Sequence, residues 1–434
     1  MTAKEQIEGF ESRAREYTNF AVRGVKRVCK DCGPRESGSA AERKAQKMMA
    51  GEMESCCESV ELEPYTLAPR AFLGWVSLCV YFGLLAAAAY HFGYALASLI
   101  LLAAALAMAV LEFGMYKQAI DPLFPKKNSQ NLVAVRAPSG EVKRRLILCG
   151  HADSAYEWQY TYWGYKYFKS PKLLLAVIVT SVAIILFGFG LSVAAVAAEG
   201  GGFGGIGSLA GRSDALRILG YVFAGLCLPL LSSLGFKNNR RVVMGANDNL
   251  SGCFTAMAVA KFLGGLDLRL ENTELVILCS GGEEAGLRGA KAFVKAHAAA
   301  YKDVETAFIA LDTMRDLEYM TIYVRDISGT VKHDAAVCNL LRTGGKAAGY
   351  DLAFASVPLG ASDAAAATQG GLPATCLAGM DPAPADYYHT RLDTAENLAP
   401  KAVEAGLKIM LETAYLFDAE GLAPYEGMTA KAGE

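Results

Sequence analysis

Two adjacent carboxylates, Glu283 and Glu284, follow an apolar run at residues 275–279 and a Ser280-Gly281-Gly282 break. The run reads as a buried strand, and a helical pattern covers residues 290–300. Acids at the point where a buried strand gives way to a helix stand where open α/β sheets build their sites. Neighbouring side chains on such a loop point in different directions, so one can hold a metal while the other faces a water. Alone, the pair reads as ordinary solvated surface. Other donors give it weight. His151 and Asp153 follow a second apolar strand at 145–149. Asp248 precedes a small-residue helix at 253–263. Asp312 closes a strand at 306–311, and His389 lies in Tyr387-Tyr388-His389-Thr390 after a Pro-rich loop.

Two imidazoles and several carboxylates suit zinc or a similar divalent ion. A pair of ions about 3.5–4 Å apart needs a bridging carboxylate and terminal ligands on each side. A further carboxylate must stay off the metals to take a proton. Each residue also has a plainer reading: His151 as a hydrogen-bonded structural ring, Asp248 as a helix cap, Asp312 as a turn acid, His389 as surface. His297 and His333 have no such company and read as structural.

Positioning these groups requires strands at 60–65, 131–136, 145–149, 275–279, 306–311, 319–324 and 372–377. Helices are expected at 4–30, 39–55, 253–263, 290–300, 332–350 and 400–417, with Ser37 or Ser39 capping the second. Residues 131–136 and 145–149 are joined by a Pro138-Ser139-Gly140 turn. The pattern predicts an α/β fold.

The 434-residue chain carries a net charge of −2, which gives no sign of a nucleic-acid partner. Its eleven cysteines are scattered; Cys29 and Cys32 form a CxxC without a second pair, so free thiols in a reducing compartment are expected rather than a zinc knuckle. Residues 1–60 lack the apolar stretch of a signal peptide.

A mean hydropathy of +0.24 is high for a soluble enzyme, and four apolar runs account for it: 71–90, 93–113, 173–198 and 215–235. Each is near the ~20 residues that cross a bilayer, and together they read as two transmembrane hairpins rather than core helices. The expected division is a discontinuous soluble domain at 1–70, 114–171 and 236–434, a first hairpin at 71–113 and a second at 172–235 with a Gly-rich tip at 199–214. Arg70, Lys117, Lys126, Lys127, Lys166, Lys169, Lys172, Lys237, Arg240 and Arg241 flank the spans on the domain side, against His91 and Arg212 at the tips. Basic residues stay on the cytoplasmic side, so a multi-pass protein of the cell membrane with a cytoplasmic catalytic domain is expected. The aromatic, lysine-bearing stretch 156–168 fits an interfacial belt.

Taken in order, His151-Ala152-Asp153, Asn247-Asp248-Asn249-Leu250-Ser251-Gly252, Gly282-Glu283-Glu284-Ala285-Gly286-Leu287-Arg288-Gly289, Asp312 and Tyr388-His389-Thr390 resemble the M28 family of di-zinc aminopeptidases. The resemblance covers about residues 35–70, 128–155 and 240–415. It implies a three-layer sandwich with a mixed central sheet, zinc-peptidase/phosphorylase-like, and two Zn2+ ions per chain, bridged by Asp248, with His151 and Asp312 on one ion and Glu284 and His389 on the other. It implies Glu283 as general base, Asp153 orienting His151, and metal-assisted hydrolysis of a peptide substrate. Tyr388 is a candidate hydrogen-bond donor to the oxyanion. Three departures stand out. Asp248 follows His151 by 97 residues because a hairpin intervenes. Ala364 stands where relatives often carry His after Ser-Asp, and Ala290 where Ser is frequent. The competing functions are a non-catalytic membrane scaffold or receptor, a glutaminyl cyclase or an acyl-amino-acid hydrolase on the same fold. Transport is disfavoured, because the spans carry no charged path.

Overall fold

The computed structural model describes residues 2–198, 211–383 and 385–433. The chain divides into two compact units: Met1–Pro69, Lys126–Glu157 and Arg240–Glu434 form one, Arg70–Pro125 and Trp158–Asn239 the other. In chain order the helices are α1 (Ala3–Gln6), α2 (Phe10–Cys32), α3 (Ala40–Met53), α4 (Gly74–His91), α5 (Ala95–Ala109), α6 (Gln159–Trp163), α7 (Lys172–Ala198), α8 (Asp214–Leu230), α9 (Ser251–Gly265), α10 (Arg288–His297), α11 (Ala335–Ala347), α12 (Asp363–Gln369) and α13 (Pro400–Glu420).

The first unit is built on a mixed sheet that opens with β1 (Ser59–Leu67), β2 (Lys127–Arg136) and β3 (Arg144–His151); β4 (Tyr156–Trp158) and β5 (Lys237–Val242) pair in a two-stranded ribbon outside that sheet. The main sheet continues with β6 (Thr273–Ser280), β7 (Glu305–Met314), β8 (Met320–Asp326), β9 (Val331–Lys332), β10 (Ala353–Ser356) and β11 (Ala374–Gly379). The order across it is β1-β2-β6-β3-β7-β11-β8-β10, with β9 on β8. Strands β6, β3, β7 and β11 run parallel to one another, and the outer pairs β1–β2, β2–β6 and β11–β8 are antiparallel. The turn at Pro138-Ser139-Gly140 therefore makes no hairpin: β6 lies between the two strands it joins.

Helices cover both faces of the sheet. Leu146, Leu148, Leu275 and Ile277 face one core with Phe254 and Phe262 of α9; Ile147, Cys149, Val276 and Leu278 face the other with Phe293 of α10. Burial on both faces explains why these strands read as unbroken apolar runs rather than as alternating ones. The helix expected at 332–350 begins at Ala335, because Val331–Lys332 pairs with β8 and the Asp334 carboxylate caps the helix by accepting from Val337 N at 3.0 Å. Ser39, not Ser37, caps α3, accepting from Glu42 N at 3.1 Å.

In the second unit, and among the described residues, four helices are long and apolar enough to cross a membrane: Gly74–His91, Ala95–Gly114, Lys172–Ala198 and Asp214–Gly235. Only 22–28% of their most apolar stretches is buried within the protein. Leu85, Leu175, Leu186 and Leu228 all point outward, more than half exposed. Small residues bring the helices together instead. A Cβ on Gly188 would strike the Phe223 ring, one on Gly83 would meet Leu230 Cδ2 at 2.7 Å, and Ser98 Oγ lies 2.8 Å from Ser192 Oγ. Small-residue contacts and interhelical hydroxyl pairs are how helices associate without a hydrophobic driving force. Residues 114–125 and 158–171 pack in this unit, where Phe72 meets Tyr116 at 4.7 Å and Trp158 meets Phe236 at 5.4 Å between ring centroids. Of the Gly-rich tip at 199–214, residues 199–210 lie outside the described residues.

Candidate metal centre

Three parallel strands deliver donors at the same end of the sheet. His151 is the last residue of β3, Glu283 and Glu284 follow the end of β6, and Asp312 lies near the end of β7. Asp248 comes from the turn before α9, and His389 from the loop between β11 and α13, where its φ is 51°. The glycines ahead of Glu283 are required by space. A Cβ on Gly281 would meet Gln130 O and Ser129 Oγ at 2.7 Å, and Gly282 has a φ of 58°, a region that only glycine enters freely.

The six donors converge. Asp248 turns one oxygen to each imidazole: Oδ1 lies 3.1 Å from His151 Nε2 and Oδ2 lies 3.0 Å from His389 Nε2. Glu284 Oε1 is 3.2 Å from the same His389 nitrogen, and Glu283 Oε2 is 3.8 Å from His151 Nε2. Donor atoms of His151, Asp248 and Asp312 all lie within 4.8 Å of one another, as do those of Asp248, Glu284 and His389. Asp248 belongs to both groups. His151, Glu283 and Glu284 form a third.

These residues fit zinc. Two ligands at ~2.0–2.1 Å on a tetrahedral ion stand about 3.3 Å apart, close to the 3.0–3.2 Å separations between imidazole nitrogen and carboxylate oxygen. Asp248 Oδ2 and Glu284 Oε1 are buried, satisfy no hydrogen-bond geometry within the protein and converge on the same nitrogen, His389 Nε2, a costly state for two carboxylates unless a cation is held among them. Without a cation among them, the buried acids crowd one another's charges. Burial pushes Glu283 well above the usual carboxylate range, with His151 opposing and Glu284, Asp363 and Asp312 adding to it. Burial and then Asp248 push Asp312 up to about 7. Burial disfavours charge on His389, but Glu284 and Asp248 outweigh it and carry the ring up to about 10. Asp248 is the exception: against burial, the two facing imidazoles hold it below the carboxylate range.

The residues flanking Asp248 fasten its turn. Asn249 Nδ2 donates to Leu311 O at 2.8 Å, while its Oδ1 accepts from Thr313 N at 3.2 Å and Gly252 N at 3.0 Å. Ser251 Oγ donates to Asn247 O and accepts from Met314 N. The turn is thus sewn to β7 around Asp312. The α9 cap position falls on Leu250, so the Asp248 carboxylate is left for the site. Asp153 is fully buried with Oδ1 3.4 Å from His151 Nδ1, and its two oxygens accept from Glu283 N and Glu284 N, each at 3.1 Å. It therefore positions both the ring and the acidic pair, which its place beside His151 did not reveal.

Two further acids belong here. Asp393 accepts from Asn247 N at 2.7 Å and Asp248 N at 3.1 Å, tying the His389 loop to the Asp248 turn. Asp363 lies behind β6, where Ser280 Oγ donates to it at 2.5 Å. The signals were present as Ser362-Asp363 and as the acid four residues after His389, but nothing local says what a buried carboxylate accepts. Outside the centre, His297 Nε2 pairs with Glu63 at 2.7 Å, and His333 lies between Asp326 and Thr368. All eleven cysteines are free thiols, and among the described residues none joins a metal-type group. Tyr388 stacks on His389 with ring centroids 3.9 Å apart.

Comparison with known proteins follows this geometry. The model of Peptidase family M28 matches residues 231–414, a stretch that contains Asp248, Glu283, Glu284, Asp312 and His389 but not His151. No curated protein matches the chain. Among solved structures it is similar to BSAP, a zinc aminopeptidase from Bacillus subtilis, with a TM-score of 0.52 at 14% identity, covering 93% of this chain and 95% of that one. An aminopeptidase from Aneurinibacillus sp. strain AM-1 gives 0.54 at 13% identity over 93% and 95%. A glutaminyl cyclase from Fimbriiglobus ruber gives 0.52 at 14% over 92% and 95%. At such identities the likeness is one of fold. The mixed sheet with flanking helices is thus a fold shared with these zinc aminopeptidases, and residues 231–414 match the model of Peptidase family M28.

Proposed function

We propose that the protein is a membrane-anchored, zinc-dependent aminopeptidase that uses two ions per chain. The observation that supports this most is the division of Asp248 between two imidazoles, each completed by a further acid: Asp312 beside His151, and Glu284 beside His389. His151 with Asp312 would hold one ion, Glu284 with His389 the other, and Asp248 both. Bound zinc supplies Lewis acidity toward water and a peptide carbonyl. Glu283, held at the edge of both groups by its backbone bond to Asp153, takes the proton of the attacking water on its carboxylate and returns it to the departing amine.

The decisive experiment combines metal analysis with N-terminal peptide profiling of the purified protein. About two zinc per chain, release of N-terminal residues, and loss of that release by a factor of at least ~10³ in Glu283→Gln with zinc retained are expected. Zinc-free active protein overturns the reading. Cyclisation of N-terminal glutamine without residue release assigns the site to the reaction of the cyclases that share the fold. An inert protein without metal is the scaffold.

The four apolar helices would anchor the protein in a bilayer. Arg70, Lys117, Lys126, Lys166, Lys169, Lys172 and Lys237 flank them on one side in sequence, against His91, Arg212 and Arg217 near the turns. By the retention of basic residues, the catalytic unit is cytoplasmic. Protease added to intact cells should leave that unit uncut; cleavage there reverses the topology.

A further inference from the structure

Residues 35–42, the end of the connection after α2 and the start of α3, lie far outside the matched stretch 231–414, yet three loops that carry the metal-site donors are bonded directly to them. Arg35 is fully buried. Its four side-chain hydrogen bonds all go to main-chain carbonyls: Nε to Ala152 O at 2.6 Å, Nη1 to Gly33 O at 3.1 Å and Met244 O at 2.8 Å, and Nη2 to Gly245 O at 2.8 Å. Its own backbone exchanges bonds with Ser154, N to Oγ at 2.9 Å and O from N at 2.9 Å. Arg35 thus fastens the loop after His151 to the turn leading to Asp248. Two residues on, Ser37 Oγ donates to Asp153 Oδ2 at 2.6 Å. Glu42, also fully buried, accepts from Gly282 N on Oε1 at 2.8 Å, and from Gly38 N and Ser129 Oγ on Oε2 at 2.7 Å. The three consecutive amides of Gly282, Glu283 and Glu284 are therefore held by two carboxylates, Glu42 and Asp153.

Burying a guanidinium against carbonyls alone is expensive, and apolar side chains of like volume would hold a core as well. What a planar fork supplies and an apolar group does not is a set distance between several acceptors. We propose that residues 35–42 are the positioning frame of the metal centre: Arg35 sets the spacing of the His151 loop from the Asp248 turn, and Glu42 with Ser37 sets the height of the Glu283–Glu284 loop above both. The proposal rests on reading that centre as a zinc site. None of the three residues touches the reacting atoms.

The test uses the full-length protein in detergent. Zinc affinity is measured by competition with a chromophoric chelator, kcat and KM separately, and the thermal midpoint in excess zinc. Glu42→Gln keeps the shape and turns one acceptor oxygen into a donor; Arg35→Lys keeps the charge and loses the fork; Ser37→Ala removes one hydroxyl and serves if either of the others fails to fold. Glu42→Gln and Arg35→Lys should weaken zinc binding about 10–100-fold and lower kcat with KM within about twofold, and Ser37→Ala should shift affinity in the same direction by less. Wild-type zinc affinity and kcat in the folded variants, even with a lower midpoint, make the segment a structural link only and overturn the proposal. A wild type that binds zinc without cleaving peptides defeats the peptidase reading alone, since the affinity comparison still decides the frame. A wild type that binds no zinc defeats both.

Discussion

The two units bury opposite things. In the sheet unit, both faces of β3 and β6 are apolar and sealed, and charge is gathered at one end of the strands, where His151, Asp248, Glu283, Glu284, Asp312 and His389 meet. In the helical unit, Leu85, Leu175, Leu186 and Leu228 face outward, while glycines and the Ser98–Ser192 pair lie between helices. The first pattern is that of a chain folding away from water, where apolar burial drives collapse. The second suits helices surrounded by hydrocarbon, where nothing is gained by hiding leucine and close approach governs packing. Composition alone, 53% apolar, does not separate them; the direction in which the apolar side chains point does.

The largest expected effect comes from removing metal. Chelation should abolish catalysis and destabilise the sheet unit, by about 4 kcal/mol if zinc had been present at ~1,000 times its dissociation constant, while the helical unit keeps its amide-exchange protection in detergent. Equal loss of protection in both would mean that the units do not behave as separate bodies.

Next is the sealed core. Phe308→Ala on β7, where the ring is fully buried, should cost ~3–5 kcal/mol, read as a lower denaturation midpoint of the sheet unit. A cost under ~1 kcal/mol would show that the core is loosely packed there.

A matched pair then sharpens the contrast at the surface. Leu186→Arg, midway along α7 and 52% exposed, should disfavour membrane insertion by ~2.5–3.5 kcal/mol. Val142→Arg, 38% exposed in the sheet unit, should change stability by no more than ~0.5 kcal/mol. An insertion assay and a denaturation curve check the two, and equal tolerance would remove the case for lipid around α7. Well below the Leu186→Arg penalty is Ser98→Ala, where loss of the hydroxyl pair should weaken helix packing by ~0.6 kcal/mol, detectable in a double-mutant cycle with Ser192→Ala.

Much of the site was legible because each of its six principal donors lies at or near a strand end or in a turn beside a helix, and those boundaries show in the apolar pattern. Glu283 and Glu284 stand out because two glycines must precede them. What stayed hidden was the support. Arg35, Ser37 and Glu42 lie in a polar stretch that reads as an ordinary connection with a helix cap, and Asp393 as one more acid in a loop. A buried polar residue is defined by its partner, and the partners are 100 or more residues away: Ala152 for Arg35, Gly282 for Glu42, Asn247 for Asp393.

The strands at 60–65, 131–136, 145–149, 275–279, 306–311, 319–324 and 372–377 and the four long apolar helices were legible in local pattern, since periodicity and turn chemistry act over a few residues, whereas β5, β10 and α12 were not read from it. Only the tertiary structure decided that β6 enters between β2 and β3, that Asp248 faces both imidazoles, and that Asp153 holds two amides as well as facing a ring. Sheet order and hydrogen-bond partnership are choices among distant segments, and those choices are made by which surfaces can be buried together without leaving a polar group unmet.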